Sequence, residues 1–550
     1  MRVFKRVLAL FCILAILLSS LSSCAGTLLI ADLLLLRGQT TEEPSPQLPE
    51  NDQFSYSLSE TDRQTFLDCL EEIEKLLLEQ LSSDEEKINA LTENLGDLYY
   101  HVATQANLAY IYHCLNATDA AKSEAYLYAS AMHSDLYAEY EALCKRIDVS
   151  DAPGKSIFFA DWSEEDLEAM REYTEEYKEL SQANDKILVN YRSLSKAEQS
   201  ERAPALYLQL IQNNVRIAAL SGYDNYADYA YAKVYRRDYS PQDAEIIHQA
   251  VKSELLPICQ PVLAKFQEKY SGLNANERQI VRALLEGEYT NVLELINGYL
   301  ASFPEQAEEQ LQSLFQSENF FMTSAQNADP GAFTVYLYEF DQPVCYFGPG
   351  YHDGYTIIHE LGHYLSAFYS ELNLQMDIAE TQSQGNEWLF TAYLKNTLAS
   401  RDLAETILYY QLFSALQTIV VSSIVDEFEQ RVYRELPTDE EEFDRIMEDV
   451  CQEYGGLRFV KTMFADPANY WRAVVLESPC YYISYAFSML VAFHFYEAAI
   501  NDYEAIQAVY LDLAQLQLED ETTYCQWLKE QNLQTPFEEE YYQTIVAFAS

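Results

Sequence analysis

Basic residues are scarce in this chain of 550 residues. It carries 35 Lys and Arg against 87 Asp and Glu, which gives a formal net charge of −52. Nucleic-acid binding depends on Lys and Arg side chains that displace counterions from phosphate, so we exclude a nucleic-acid partner. The acidic surface is most simply a means of staying soluble and apart from neighbours, although it can also steer cationic peptides toward a cleft.

Glycine and proline are also few, at 16 each, whereas 44 Tyr and 26 Phe supply large apolar groups. This composition excludes a fibrous or largely disordered chain. We find no internal repeat of fixed period. The length alone allows about three domains, although a large helical enzyme can also form one continuous body.

Paired cysteines are missing as well. Ten cysteines are scattered along the chain and no Cys-x-x-Cys pair occurs, which argues against a cysteine-based zinc site. The eight cysteines that follow Cys24 permit disulfides without specifying any. We predict that most of them are small buried apolar residues.

The apolar run nearest the N-terminus is shorter than a typical transmembrane helix. Arg2, Lys5 and Arg6 precede apolar residues 7–18, and small residues follow. This is the layout of an export signal. We therefore predict a signal peptide over residues 1–23.

The signal ends in the sequence LSSC at residues 21–24, which resembles a bacterial lipobox. In a lipobox, cleavage precedes a cysteine that then carries lipid, so we predict that residues 24–54 hold a lipid-anchor cysteine, Cys24, and a tether whose polar part is residues 38–53. A second apolar stretch, residues 27–36, keeps an uncleaved N-terminal anchor open as the alternative. Both predictions place the body outside the cytoplasmic membrane and anchored to it.

Helical periodicity dominates from about residue 55, as in the spacing of Phe66, Leu70, Ile73 and Leu77. Residues 332–347, AFTVYLYEFDQPVCYF, break this pattern with β-branched and aromatic side chains around a turn sequence. They predict a β-hairpin. An exposed strand there can pair with an extended peptide, or the hairpin can serve only as structural cover.

Histidine is rare too, with eight in the chain, yet two of them share one motif in residues 356–368, TIIHELGHYLSAF. The apolar positions of this segment form one stripe of a helix. His359 and His363 are four residues apart, so their imidazoles project from one face and can share a metal. Glu360 is predicted to be the general base for the attacking water. The pattern predicts one Zn²⁺ per chain.

A catalytic zinc site needs a third protein ligand. A metzincin would supply histidine at position 369 after glycine at 366, but this chain has Ser366 and Tyr369, which excludes that site. The downstream candidates are Glu371, Glu380 and Glu387. Glu371 follows the motif too closely to turn back on the metal, so we predict Glu380 as the ligand. Glu387, seven residues further along the same helical face, is predicted to orient a histidine.

The motif segment HELGHYLSAFYS, preceded by HDGYTII and followed by IAETQSQGNEWL, resembles the oligoendopeptidase F and thimet oligopeptidase families. Their proteins carry His-Glu-x-x-His on one helix and a ligand glutamate on the next. The resemblance extends from about residue 200 to the C-terminus, so we predict an N-terminal helical region over 55–200 and a helical catalytic region over 201–550. Further matching segments are GYDNYADY at 222–229, RRDYSP at 236–241, DEFE at 426–429 and the late TPFEEEYY.

The resemblance also implies roles for tyrosines. Residues 478–486, SPCYYISYA, are similar to a late family segment whose tyrosines stabilise the oxyanion and bind substrate. Tyr481 and Tyr485 match best, and Tyr482 is a candidate substrate contact. The chain lacks the histidine that the family usually places shortly before these tyrosines. His352 lies one residue out of register with a His-Asp pair of thimet-type members, and it is a further candidate substrate contact.

The resemblance implies a mostly α-helical, two-lobed metallopeptidase with a deep substrate channel and a small β-hairpin beside the zinc helix. The expected activity is zinc-dependent endopeptidase hydrolysis of short peptides outside the cytoplasmic membrane. Two alternatives remain open. One is a related helical metallocarboxypeptidase, and the other is a tethered peptide-binding lipoprotein with weak catalysis, which the missing histidine favours.

Overall fold

The computed structural model describes residues 54–160, 174–192, 194–370, 375–464, 474–516 and 523–549, with single residues at 162, 167, 170, 171 and 472. The predicted signal peptide, the lipid-anchor cysteine and the tether up to residue 53 lie outside the described residues. So does the candidate ligand Glu371.

The described part of the chain is mostly helical, which confirms the predicted fold class. Several helices begin at side chains that satisfy free backbone amides, as in the capping boxes of Ser195 with Glu198 and Ser240 with Asp243. The α-helices span Glu60–Glu74, Glu85–Leu115, Ala120–Asp148, Lys155–Phe158, Glu175–Arg192, Lys196–Leu220, Tyr226–Tyr229, Pro241–Ala250, Leu256–Gly272, Ala275–Leu285, Leu293–Leu300, Glu305–Gln316, Gly354–Ser370, Met376–Thr397, Arg401–Glu435, Glu440–Glu453, Leu457–Met463, Ile483–Ala499, Tyr503–Ala514, Tyr524–Glu530 and Glu539–Ala549.

Short segments of other helix types continue or connect these helices. The π-helical segments are Lys75–Glu79, Ala230–Val234 and Val251–Leu255, and the 3₁₀ segments are Tyr289–Val292 and Tyr338–Phe340.

A small sheet lies among the helices. Its strands are β1 (Phe320–Met322), β2 (Ala332–Leu337) and β3 (Gln342–Phe347), in the order β1-β3-β2. β2 and β3 are antiparallel, which confirms the predicted hairpin, and β1 adds a parallel strand that the sequence did not predict. All six residues of β2 are buried, so this strand does not present an exposed face.

Buried apolar side chains form two clusters. The first core gathers described residues from 54 to 170 together with residues of the sheet, its connecting turn and Ala367, and the second core gathers residues from 187 to 549. The sheet contributes to both, because successive side chains of a strand point to opposite faces. On β3, for example, Val344 and Tyr346 belong to the first core while Cys345 and Phe347 belong to the second. The predicted domain boundary at residue 200 stays a prediction.

The helix Gly354–Ser370 carries the His-Glu-x-x-His motif and is called the motif helix. The helix Met376–Thr397 carries the candidate ligand Glu380 and is called the ligand helix. The motif helix buries Ile357, Leu361 and Leu365 completely, so its apolar stripe fixes which face is left for the histidines. The ligand helix packs along both the motif helix and the helix Ile483–Ala499. The site therefore rests on helices packed in the second core.

The long helix Arg401–Glu435 is, among the described residues, the one that is long and apolar enough to span a membrane by length and composition. In the protein, 78% of its most apolar window is buried. It also contains the buried acidic residues Asp426 and Glu429. We therefore interpret it as a core helix.

Candidate metal centre

The motif helix begins at a buried aspartate. Asp353 accepts hydrogen bonds from the backbone amide of Thr356 at 3.0 Å and from its hydroxyl at 2.6 Å. The first of these bonds satisfies a backbone amide that an uncapped helix end would leave free. Burial raises the pKa of Asp353 to about 7. The cap fixes the start of the helix that carries the motif one turn later.

Three predicted ligand residues converge at the crossing of the motif and ligand helices. His359 Nε2 lies 3.8 Å from Glu380 Oε2, and His363 Nε2 lies 3.9 Å from the same oxygen. Ligand atoms of the three residues all lie within 4.8 Å of one another. Zinc at bond lengths of about 2.0–2.2 Å holds tetrahedral ligand atoms about 3.4 Å apart, so the group needs only a small closing shift. Two imidazoles and a carboxylate fit such an ion.

Gly362 allows the two helices to come this close. A Cβ atom at this position would lie 2.6 Å from both Gln382 O and Ser383 Cα of the ligand helix. Neither contact is with a flexible side chain, so a larger residue would push the helices apart. The glycine between the two histidines therefore lets Glu380, on the second helix, reach the imidazoles of the first.

Glu387 orients one of the histidines. Its Oε1 lies 2.7 Å from His359 Nδ1, and its Oε2 accepts a hydrogen bond of 2.7 Å from Gln411 Nε2. Burial opposes a charged imidazole, but the hydrogen bond and charge of Glu387 prevail and raise the pKa of His359 to about 9. Burial and the neighbouring His359 hold the pKa of His363 well below its usual value. Because a metal needs neutral imidazole, its binding at neutral pH would displace a proton from His359.

Glu360, the predicted general base, is 1% exposed. Its Oε2 accepts a hydrogen bond of 2.7 Å from the hydroxyl of Thr334 on β2. A residue of the sheet thus holds the carboxylate of Glu360. Thr334 lies in the predicted hairpin, but nothing in its sequence context points to Glu360.

The predicted tyrosines lie on the other side of Glu380. The hydroxyl of Tyr481 donates a hydrogen bond to Glu380 Oε1, which leaves Oε2 directed at the histidines. The rings of Tyr482 and Tyr485 pack 5.7 Å apart, and Tyr485 lies 5.1 Å from Tyr481. Burial raises the pKa of Glu380, while His359 and the Tyr481 hydroxyl act in the opposite direction.

His352 is 5% exposed, and its ring is held by the loop after β1. Its Nε2 lies 3.0 Å from Thr323 O, and its Nδ1 lies 3.5 Å from Glu288 Oε1. Its predicted substrate contact stays a prediction.

Sequence reasoning missed three residues that support the site: Thr334, Gln411 and Arg237. Each acts across a large separation in sequence, so no local pattern marks Thr334 or Gln411. Arg237 does lie in the family-like segment RRDYSP, which was the available signal. Its guanidinium contacts the segment that carries Tyr481.

The fold and the convergent residues define a helical protein with a candidate mononuclear metal site. No protein-family model and no curated protein matches the sequence. Solved structures do match it in fold. PZ peptidase A, solved with an inhibitor, superimposes with a TM-score of 0.68 at 16% identity, over 90% of this chain and 97% of that one.

Two further structures match over similar lengths. A Bacillus anthracis str. Ames protein, provisionally described as an oligoendopeptidase F, has a TM-score of 0.67 at 15% identity, over 90% of this chain and 96% of that one. Oligoendopeptidase-F from Enterococcus faecium has a TM-score of 0.53 at 12% identity, over 89% and 96%. At these identities the likeness establishes the fold, and it is the helical fold of these peptidases.

Proposed function

We propose that this protein is a zinc-dependent endopeptidase that hydrolyses short peptides. The observation that carries the proposal is the convergence of His359, His363 and Glu380 beside Glu360. Three protein ligands of this kind leave a coordination position open, as catalytic zinc requires. The fold shared with PZ peptidase A and oligoendopeptidase-F supports a peptidase.

The roles of the side chains follow from their positions. A bound zinc ion supplies Lewis acidity and lowers the pKa of water. Glu360, held by Thr334, accepts a proton from the attacking water as the water oxygen bonds to the scissile carbonyl carbon. The same carboxyl then gives that proton to the amine nitrogen as the C–N bond breaks. Tyr481 and Tyr485 are proposed to donate to the oxyanion, which develops only in the transition state, and Tyr481 must then release the hydrogen bond that it donates to Glu380.

The test uses the purified body with an internally quenched, end-blocked peptide. We expect internal cuts that a chelator abolishes and that added Zn²⁺ restores. Glu360→Gln should retain one zinc per chain yet lower kcat by at least about 1,000-fold, because the amide cannot accept the proton. Full activity in that variant would contradict the proposed mechanism.

Glu141→Gln is the matched control for this substitution. Glu141 is buried to the same degree, at 2% exposed against 1% for Glu360, but it lies in the first core. We expect its activity to equal that of the wild type. Cleavage confined to peptides with a free C-terminus would indicate the metallocarboxypeptidase, and tight binding of intact peptide with bound zinc would indicate the binding protein.

We also propose that the protein lies outside the cytoplasmic membrane, anchored through lipid on Cys24. The export-signal layout and the LSSC sequence at residues 21–24 support this. The test is Cys24→Ser in a bacterial host that lipidates exported proteins, followed by membrane fractionation and mass measurement of the N-terminal peptide. Loss of both lipid and membrane association supports the lipid anchor, whereas an unchanged membrane fraction indicates an uncleaved helix.

A further inference from the structure

We infer that Arg237 is a positioning residue that sets Tyr481 against the metal centre by holding the turn at Cys480; this inference rests on the proposed function. Arg237 itself does not contact the candidate metal ligands through any hydrogen bond among those described. It acts through the backbone that carries Tyr481, 244 positions further along the chain.

The turn before Tyr481 has an unfavourable backbone. Cys480 has a φ of +62°, in the left-handed region that residues with a side chain rarely adopt. Such a conformation is unfavourable for a residue with a side chain and persists only where its surroundings enforce it. Cys480 is also fully buried, so water cannot satisfy its peptide groups. The turn therefore needs partners from elsewhere in the protein.

Arg237 supplies most of these partners. Its Nη1 donates to Cys480 O at 3.0 Å, and its Nη2 donates to Tyr481 O at 3.0 Å and to Ser484 Oγ at 2.8 Å. Two consecutive carbonyls are thus bound by one planar group, whose fixed fork a lysine cannot reproduce. The guanidinium lies 4.3 Å from the ring centroid of Tyr231 and 4.5 Å from that of Tyr235, which holds its plane.

Two more side chains complete the hold on the turn. The hydroxyl of Tyr235 donates to Pro479 O at 2.7 Å, so three carbonyls in succession are bound by residues 235 and 237. From the other side, the amide of Cys480 donates to Glu429 Oε1 at 2.9 Å. The strained residue is therefore fixed through its amide by Glu429, on the helix Arg401–Glu435, and through its carbonyl by Arg237, in the loop between Val234 and Pro241.

The same arginine also contacts the ligand helix. Arg237 Nε lies 3.7 Å from Asp377 Oδ1, and both side chains are buried, at 0% and 2% exposed. Asp377 is three residues before Glu380, whose carboxylate accepts the hydrogen bond of Tyr481. One guanidinium thus joins the helix that carries Glu380 to the turn that carries Tyr481. Their relative position is the one on which transition-state stabilisation by Tyr481 would depend.

The variants Arg237→Lys and Tyr235→Phe test the inference. Arg237→Lys keeps the charge opposite Asp377 but loses the fork, and we expect kcat to fall by about 100-fold with KM within about threefold and zinc still at one per chain. Tyr235→Phe keeps the ring and loses one hydrogen bond, so we expect kcat to fall by about fivefold. A general loss of stability would not lower kcat while leaving KM and the zinc content nearly unchanged.

Tyr542→Phe is the matched control. Its hydroxyl also donates to a proline carbonyl, Pro536 O, at 2.7 Å, and Tyr542 is as buried as Tyr235. We expect this variant to keep the wild-type kcat. The second readout is amide hydrogen exchange in residues 478–485, which needs no activity. It should be at least about tenfold faster in Arg237→Lys and unchanged in Tyr542→Phe.

The two readouts separate the possible failures. Faster exchange with unchanged kcat would mean that the arginine holds the turn without serving catalysis, which overturns the inference. Unchanged exchange in both turn variants overturns it whatever the kinetics show. If the wild type cleaves no peptide, the proposed function fails and so does the catalytic part of this inference, while exchange still decides whether Arg237 holds the turn.

Discussion

The buried ionisable side chains of the metal centre contact one another, whereas two on a helix of the first core, His133 and Glu141, each meet a tyrosine. At the metal centre, His359 is held by Glu387, which is held in turn by Gln411. In the first core, His133 packs against the ring of Tyr99, and burial lowers its pKa to about 4. The first core therefore keeps a buried histidine neutral, while the partner of His359 raises its pKa to about 9 despite burial.

Two of the buried glutamates, Glu141 and Glu380, show the same difference. Glu141, on a helix of the first core, accepts a hydrogen bond of 2.7 Å from Tyr137, and its Oε2 has no hydrogen-bond partner among the described residues. Glu380 of the second core meets Tyr481 through one oxygen and two histidines through the other. Buried polar groups that contact one another can hold an ion in a fixed geometry. A buried polar group with few partners only adds a desolvation cost to folding. Four substitutions test this comparison.

The largest effect is expected from Glu380→Gln. The amide lacks the charge and ligand strength of the carboxylate, so we expect zinc affinity to fall by at least about 1,000-fold, which is about 4 kcal/mol. Competition with a chelating indicator measures it. Glu141→Gln is the control and should bind zinc as the wild type does. Equal affinity in both variants would remove Glu380 from the ligand set.

Gly362→Ala tests whether the close helix crossing matters. Its Cβ would lie 2.6 Å from backbone atoms of the ligand helix, so we expect a loss of about 3 kcal/mol in the free energy of unfolding. Gly385→Ala is the control on the ligand helix. Its Cβ would meet Phe495 Cδ2 at 3.4 Å, an ordinary contact, and denaturant unfolding should shift by less than about 1 kcal/mol. Equal shifts would contradict the crossing argument.

Glu387→Gln tests the support of His359. We expect zinc affinity to fall by about 10- to 100-fold, because the imidazole loses the carboxylate that orients it and raises its basicity. The control is Glu497→Gln, at a second histidine–glutamate pair in which His494 Nδ1 lies 3.4 Å from Glu497 Oε2. Zinc affinity there should not change. If the zinc affinity of Glu387→Gln equals that of the wild type, Glu387 does not support metal binding by His359.

Glu141→Gln should have the smallest effect on the metal centre, and its effect on stability depends on pH. Burial raises the pKa of Glu141 from 4.5 to about 7, so the folded state binds a proton that the unfolded state releases. Wild-type stability from this group therefore falls as pH rises from about 4.5 to 7. The variant lacks this loss, so between pH 4.5 and pH 8 we expect its free energy of unfolding to rise by about 3 kcal/mol relative to that of the wild type. Urea unfolding at both pH values measures this, and an unchanged difference would contradict it.

Local patterns in the sequence predicted the helix and the hairpin of the site, but not the contacts between side chains that lie far apart in sequence. The spacing of His359 and His363 placed both on one face, because a helix repeats every 3.6 residues. The predicted hairpin also formed, because β-branched and aromatic residues flank a turn there. Thr334 was not foreseen as the partner of Glu360, since 26 residues separate them and no spacing rule links a strand to a helix.

The sequence by itself determined the mostly helical class, the hairpin and the helix that carries the motif, since each depends on interactions between near neighbours. It also narrowed the third ligand to three glutamates and favoured Glu380. Only the tertiary structure shows that the Glu380 carboxylate meets the imidazoles, because that contact depends on a crossing of two helices at Gly362. It likewise decided that Arg237 holds the turn before Tyr481. Such contacts arise from packing of the whole second core, and no local pattern encodes them.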